Sequence, residues 1–319
     1  HKWEQDAWKI DPHTNDRIKI SIKNEQGEPI PIKQSSPTKG EVALGIAFSP
    51  SGSMADEIQY LRNKTTKWSE KISKANLTHY EAWTALRTTV FKTIEYALPA
   101  TMLSKKDIQH IIAPALNSGL SKAGICRKTA RKLIFGSIKY QGFGIKDPYV
   151  TQGVNKLQML FNHTNKLTLQ LIDESWRRCA IECGIGPNML AQPFDRYKPI
   201  ITTSWISSLW EFVSHHNITV QRIDQPTTFR IRQDSYLVQH TFQSNTWTNK
   251  QKTDFNFCRL YLQVEILSDI ITANGLQIRR HILEGRTDNA MEKFTTTHYQ
   301  GINPSRKAWK NWKQMLQKA

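Results

Sequence analysis

The stretch SKKDIQHIIAPALNSGLSKAGICRKTARKLIFGSIKYQGFGIKDPYVTQGVNKLQMLFNH, residues 104–163, decides how the chain is read. It opens with Ser104 in a helix-capping position and Asp107 three residues on, the spacing of a capping box. Ile108, Ile111, Ala115 and Leu116 then recur at helical spacing. Pro114 is expected to kink this helix and Gly119 to stop it. A basic block follows: Lys122, Arg127, Lys128, Arg131, Lys132 and Lys139, with no acidic residue among them. Phe135, Tyr140 and Phe143 are interleaved. A glycine-rich turn, YQGFGI (140–145), leads back into a helix near 151–163. Cations beside exposed π-faces suit a nucleic-acid backbone and its bases. The plain alternative is a solvated helix face, but the missing acids weigh against it.

Composition points the same way. The chain has 319 residues, 39% of them hydrophobic, and ten Trp, which is the make-up of a packed chain. Its net charge of +17, from 44 basic and 27 acidic residues, calls for an anionic partner, most simply nucleic acid. The four cysteines are sparse, so free thiols in a reducing, intracellular setting (nucleus or cytoplasm) are expected. No run of about twenty apolar residues predicts a membrane span. The chain opens on His1 with no initiator Met, so we read it as a C-terminal piece of a longer product.

Outward from the central stretch, the expected fold is mainly α with a small N-terminal β element (α+β). Ile18, Ile20 and Ile22 alternate with polar residues, and after Gly27 Ile30 and Ile32 resume, which reads as a β-hairpin. VALGIAF (42–48) reads as one short strand. Ile58, Leu61, Thr65, Trp68 and Ile72 form a helical stripe, and a second helix starts at Asn76 or Thr78 and ends before Pro99. Helices follow near 151–163 and 168–183. The Gly/Pro-rich 184–199 reads as a joint between two units. Beyond it we expect a helix bearing Trp205, Leu209 and Phe212, strand-like pieces at 218–223 and 229–231, and a long helix from Asp254 to Gly275. A last helix is expected to have Asn303 as cap, Pro304 at its first position, and Trp309, Trp312 and Leu316 on its apolar face. The expected divisions are 1–50, 51–190 and 200–319.

Signs of a reaction centre are few. No phosphate-loop or dinucleotide fingerprint occurs. Cys179 and Cys183 are four apart on a predicted helix, but no second ligand pair accompanies them, so buried thiols are expected. His215 and His216 are adjacent, point apart, and suit a helix C-terminus. His110 and His163 have no nucleophile or orienting carboxylate in view. Asp147 reads as a cap and Asp269 as a hydrogen-bonding residue; no paired carboxylates for a two-metal centre occur.

Several segments together resemble one family. LGIAFSPSG (44–52), EYALPATML (95–103), IIAPALNSGLSKAGICR (111–127) and YQGFGI (140–145) with TQG (151–153) are similar to the region downstream of the palm in reverse transcriptases of non-long-terminal-repeat retrotransposons, in particular a protist, diatom-like group. CRLYLQV (258–264), LSDI (267–270) and the ending QGINPSRKAWKNWKQML (300–316) extend the likeness. The resemblance implies a parent RNA-directed DNA polymerase using Mg2+ held by palm aspartates, including a Tyr-x-Asp-Asp turn. That turn is absent from 1–319, so the catalytic carboxylates would lie upstream and this piece alone would be inactive, with no cofactor of its own. It would comprise the end of the palm, a helical thumb-like domain and a mostly helical extension. Its implied partners are the upstream palm and fingers and an RNA–DNA or DNA duplex. The nucleic-acid-binding candidates are Lys122, Arg127, Lys128, Arg131, Lys132, Lys139 and Tyr140. Leu44-Gly45 would lie at the palm–thumb turn near the primer end. The rival reading is a degenerate or host-adopted helical scaffold with no polymerase role.

Overall fold

The structure, a computed structural model, describes residues 2–4, 7–9, 21–31, 39–162, 164–186, 188–220, 234–243, 246–286 and 303–318. It is mainly α-helical with a small N-terminal β portion. Among the described residues that portion holds three separate antiparallel hairpins: β1 (Lys2–Glu4) with β2 (Ala7–Lys9), β3 (Ser21–Lys23) with β4 (Pro29–Pro31), and β5 (Glu41–Ala43) with β6 (Ile46–Phe48). The second hairpin is the expected one, with Ile22 opposite Ile30; Ile18, Ile20 and Ile32 lie outside the described residues. The expected single strand over 42–48 is instead the third hairpin. Leu44 and Gly45 both take positive φ, 51° and 81°, and reverse the chain in a two-residue turn.

Contacts divide the chain into two compact units: His1–Leu86 with Gln109–Arg127, and Arg87–Ile108 with Lys128–Ala319. The first unit is discontinuous because residues 109–127 pack back onto the segment before Arg87.

In the first unit, α1 (Ala55–Lys74) buries Leu61, Thr65 and Ile72 of the expected stripe, with Ile58 and Trp68 half-buried. Glu57 of its first turn is fully buried and accepts the Ala47 N–H at 2.5 Å, which ties β6 to the helix. Thr78, with Glu81 in a capping box, starts α2 (His79–Ala85). A π-helical turn, Leu86–Val90, follows, and from Arg87 onward the chain, with α3 (Phe91–Glu95), belongs to the second unit. The helix containing Pro114, α4 (Lys105–Lys122), is not broken by it. Proline has no N–H to offer the carbonyl four residues back. That carbonyl, of His110, accepts instead from Arg62 Nη1 at 2.6 Å, and Thr65 Oγ1 donates to the Ile111 carbonyl at 2.6 Å. Nor does Gly119 stop α4. It is buried against Leu86, where a Cβ would come within 2.9 Å of Cδ1. The stop is Gly124, at φ 73°, with Ile125 N–H donating to the Leu120 carbonyl at 2.8 Å in a Schellman closure.

In the second unit, the Ser104–Asp107 box at the start of α4 is present, with Ser104 Oγ donating to Asp107 at 2.6 Å. α5 (Arg131–Ile134) is a single turn, and α6 (Pro148–Asn162) starts earlier than expected. Gln152 on α6 binds Leu103 twice, accepting its N–H and donating to its carbonyl. Gly153 lets α6 meet α9 (Trp205–His215) closely, since a Cβ there would stand 2.3 Å from the Phe212 ring. Between them in sequence come α7 (Lys166–Cys183) and α8 (Phe194–Tyr197). The expected joint at 184–199 is packed structure: Met189, Leu190, Phe194 and Tyr197 are all buried. Glycine and proline there make tight turns between short helices rather than a linker.

Beyond α9, Ile218–Val220 form no strand, and 221–233 lie outside the described residues. α10 (Leu237–Thr241) precedes α11 (Asn249–Leu262), which Thr248 caps. The expected long helix to Gly275 ends at Gln263, in the left-handed region at φ 56°. α12 (Leu267–Ile270), α13 (Arg280–Glu284) and α14 (Arg306–Lys318) complete the unit. Ser305, not Asn303, caps α14, accepting the Ala308 N–H at 3.2 Å. Pro304 therefore precedes the helix. Trp312 and Leu316 are buried as expected, while Trp309 is half-buried.

An aromatic chain holds this half together. Phe194 meets Trp210 edge-on at 5.4 Å, Tyr197 stacks on Phe242 at 6.1 Å, and Phe255 packs on Trp312 at 4.6 Å. Arg259 is fully buried beside it. Its Nη2 donates to the Ile181 and Glu182 carbonyls at 2.6 and 2.9 Å, and its Nε to Asn256 Oδ1 at 2.8 Å. A cation at the C-terminal carbonyls of α7 is where the helix dipole favours one.

Candidate nucleic-acid interface

The glycine-rich turn closes into a clasp. Its backbone bonds run from Phe143 N–H to the Leu133 carbonyl at 2.8 Å, Gly144 to Gly136 at 2.8 Å, Gly142 to Ser137 at 2.9 Å and Ile145 to Ile134 at 3.3 Å. Glycine is required where the strands cross: a Cβ on Gly142 would lie 2.3 Å from the Gly136 carbonyl carbon. Gln141 turns the chain at φ 62°. Ile134 and Ile145 plug the inner side of the clasp, and Phe135 meets Phe91 edge-on at 6.2 Å. Ile134 and Ile145 are drawn inward, while Arg131, Lys132, Lys139 and Tyr140 are left facing solvent.

The candidate cations divide between the units. Lys122 and Arg127 belong to the first. Lys122 is half-buried in the last turn of α4; Arg127 is exposed and donates from Nε to Ser121 Oγ at 2.5 Å. Lys128, Arg131, Lys132, Lys139 and Tyr140 belong to the second and are all exposed. Arg131 and Lys132 open α5, and Lys139 and Tyr140 lie in the 3-10 turn Ile138–Tyr140, so the clasp carries both groups. Among the described residues none of these cations pairs with a carboxylate. Tyr140 is 76% exposed, with Lys139 Nζ 5.8 Å from its ring centroid. Phe143 and Phe135 are half-buried. Sequence reading overlooked two exposed apolar neighbours, Leu133 and Ile138.

The other candidates have structural surroundings. Cys179, Cys183 and Cys258 are buried free thiols, and burial pushes the Cys183 thiol up. Asp147 caps α6, accepting the Tyr149 N–H at 2.9 Å, and Asp269 accepts the Glu265 and Ile266 N–H groups. His215 ends α9, its Nε2 3.5 Å from Asp195, and His216 packs on Phe212 at 4.6 Å. The carbonyl of His110 is the one Arg62 binds, and His163 lies outside the described residues. Among the described residues, no three His, Cys, Asp or Glu side chains gather as a metal site, and no helix is long and apolar enough to cross a membrane.

Lys156 on α6 is a buried charged group that sequence gave no reason to single out. It is 1% exposed, and burial lowers its pKa to about 7. Its Nζ donates to Ser208 Oγ at 2.5 Å and sits 5.7 Å from the Trp205 ring centroid. Comparisons with protein-family models, curated proteins and solved structures match nothing.

Proposed function

We propose that this chain binds nucleic acid duplex through the clasp, as the thumb and C-terminal portion of a retrotransposon-type reverse transcriptase. The supporting observation is the group Lys128, Arg131, Lys132 and Lys139, exposed and without acidic partners among the described residues, beside the exposed ring of Tyr140. Phosphate contacts by such cations bind without reading sequence. In this reading the Mg2+-dependent chemistry belongs to palm and fingers elsewhere in a parent polypeptide, in an intracellular setting, and this piece incorporates no nucleotides by itself. The test is titration of an RNA–DNA heteroduplex across a salt series. Binding should be micromolar or tighter at low salt. Arg131→Ala, Lys132→Ala and Lys139→Ala together should flatten the log–log salt slope by about 2–3. An unaltered slope would remove the clasp from the interface.

The scaffold alternative has one observation in its favour: exposed Val150, Val154 and Phe161 on α6, and Leu167 and Leu171 on α7. It predicts self-association that Phe161→Ser and Leu171→Ser abolish, with heteroduplex binding absent.

A further inference from the structure

Beside the clasp, within the second unit, lies a groove of about 360 Å³, between the π turn with α3 on one side and Gly144 to Lys146 on the other. The size is at the lower end of the range for small-ligand pockets, about 300–1,000 Å³. The walls divide chemically. Phe91, Leu98 and Ile145 are buried side chains that line an apolar floor. Arg87 and Lys146 are exposed on the rim, and neither pairs with a carboxylate among the described residues. Glu95, the acid in the wall, is already neutralised by Lys92 at 2.5 Å. The rim therefore carries two uncompensated positive charges above an apolar floor.

The backbone supports the same reading. The π turn Leu86–Val90 interrupts the α-helical register where Arg87 and Thr88 meet the groove. Such insertions lose regular hydrogen bonding and recur at functional sites. Across from it, Gly144 takes φ 71°, a conformation that costs a larger residue strain.

We propose that this groove binds one nucleoside phosphate, its base over Phe91 and Leu98 and its phosphate between Arg87 and Lys146. The base supplies a flat apolar body, and the two rim cations match a phosphate dianion. Glu95 can accept a hydrogen bond from an exocyclic amino group, which adenine and cytosine both carry. The nucleotide is either free or one residue of a single strand splayed from the clasp. The inference deepens the nucleic-acid reading above and rests on it for the identity of the ligand class.

The test uses the full chain with two probes, AMP and a single-stranded oligoadenylate, followed by calorimetry. Three variants accompany it: Arg87→Glu with Lys146→Glu; Thr88→Trp, which fills the groove from an exposed position; and Arg131→Ala with Lys132→Ala and Lys139→Ala. Circular dichroism checks that each is folded. AMP binding that falls about tenfold or more in both groove variants, and survives in the clasp variant, supports the proposal with a free nucleotide as ligand. Oligoadenylate binding alone, with the same dependence on both groove variants, supports it with a strand as ligand. Binding of neither probe, or binding that ignores Thr88→Trp, overturns it. Heteroduplex binding that persists in that event leaves the clasp reading intact. AMP binding without any heteroduplex binding leaves the groove and removes the clasp.

Discussion

Replacing Lys156 by Met should stabilise the second unit and remove a pH dependence from it. The Lys156 ammonium is 1% exposed, and among the described residues its hydrogen bond is to the Ser208 hydroxyl. Removal from water is what lowers its pKa, from 10.5 to about 7. Below pH 7 the folded chain holds a buried, unpaired cation, which costs up to about 5 kcal/mol relative to the unfolded chain. Between about pH 7 and 10.5 the unfolded lysine keeps its proton while the folded one has released it. The unfolded state thus binds more protons, and stability rises with pH by about 1.4 kcal/mol for each unit from 7 to 9. Methionine fills nearly the same volume without charge, and Ser208 keeps a bond to the Trp205 carbonyl at 2.8 Å. Allowing for water entry around the charged form, Lys156→Met should gain about 2–4 kcal/mol at pH 6. The gain should shrink steadily toward pH 9. Urea unfolding followed by tryptophan fluorescence at half-unit steps from pH 6 to 9 measures both. Parallel stability curves for the two proteins would refute the reasoning, because the buried ammonium would then have a partner or a route to water.

Three further outcomes follow from single positions. Gly142→Ala should cost about 1–3 kcal/mol and reduce heteroduplex binding along with the clasp substitutions, since its Cβ would fall 2.3 Å from Gly136; thermal melts and the same titration check it. Leu44→Asn should raise stability by about 1 kcal/mol, because Leu44 sits at φ 51°, where asparagine is less strained and the leucine side chain, 87% exposed, buries nothing; an unchanged denaturation midpoint would contradict the two-residue turn. Arg259→Met should lose about 2–4 kcal/mol, because the Ile181 and Glu182 carbonyls would lose a charged donor in the core; stability within error of the parent would mean that water replaces the guanidinium.

Much of the helical content can be read directly from residue spacing. The stripe Leu61, Thr65 and Ile72, and the boxes Thr78–Glu81 and Ser104–Asp107, are local patterns, and each forms where it is expected. The acid-free basic block is equally local, and the exposure of Lys128, Arg131, Lys132, Lys139 and Tyr140 agrees with its polarity. Stops and joints were less legible. Gly119 looks like a helix end, yet it exists to admit Leu86, which is distant in sequence. The Gly/Pro segment 184–199 looks like a linker, yet Phe194 and Tyr197 carry the aromatic core.

What the sequence by itself determined is the class of fold and the sign of the charge. Helical periodicity, capping pairs and net charge depend only on neighbours a few residues away, and they act before any tertiary contact forms. What only the tertiary structure decided is where each helix ends, which segments share a unit, and which polar groups lose water. Pro114 stays inside its helix because Arg62 satisfies the freed carbonyl, and Lys156 is perturbed because α9 covers it. Both depend on partners about fifty residues away, |i−j| 48 and 52. No pattern of near neighbours encodes them, since desolvation and hydrogen-bond satisfaction are properties of the packed chain.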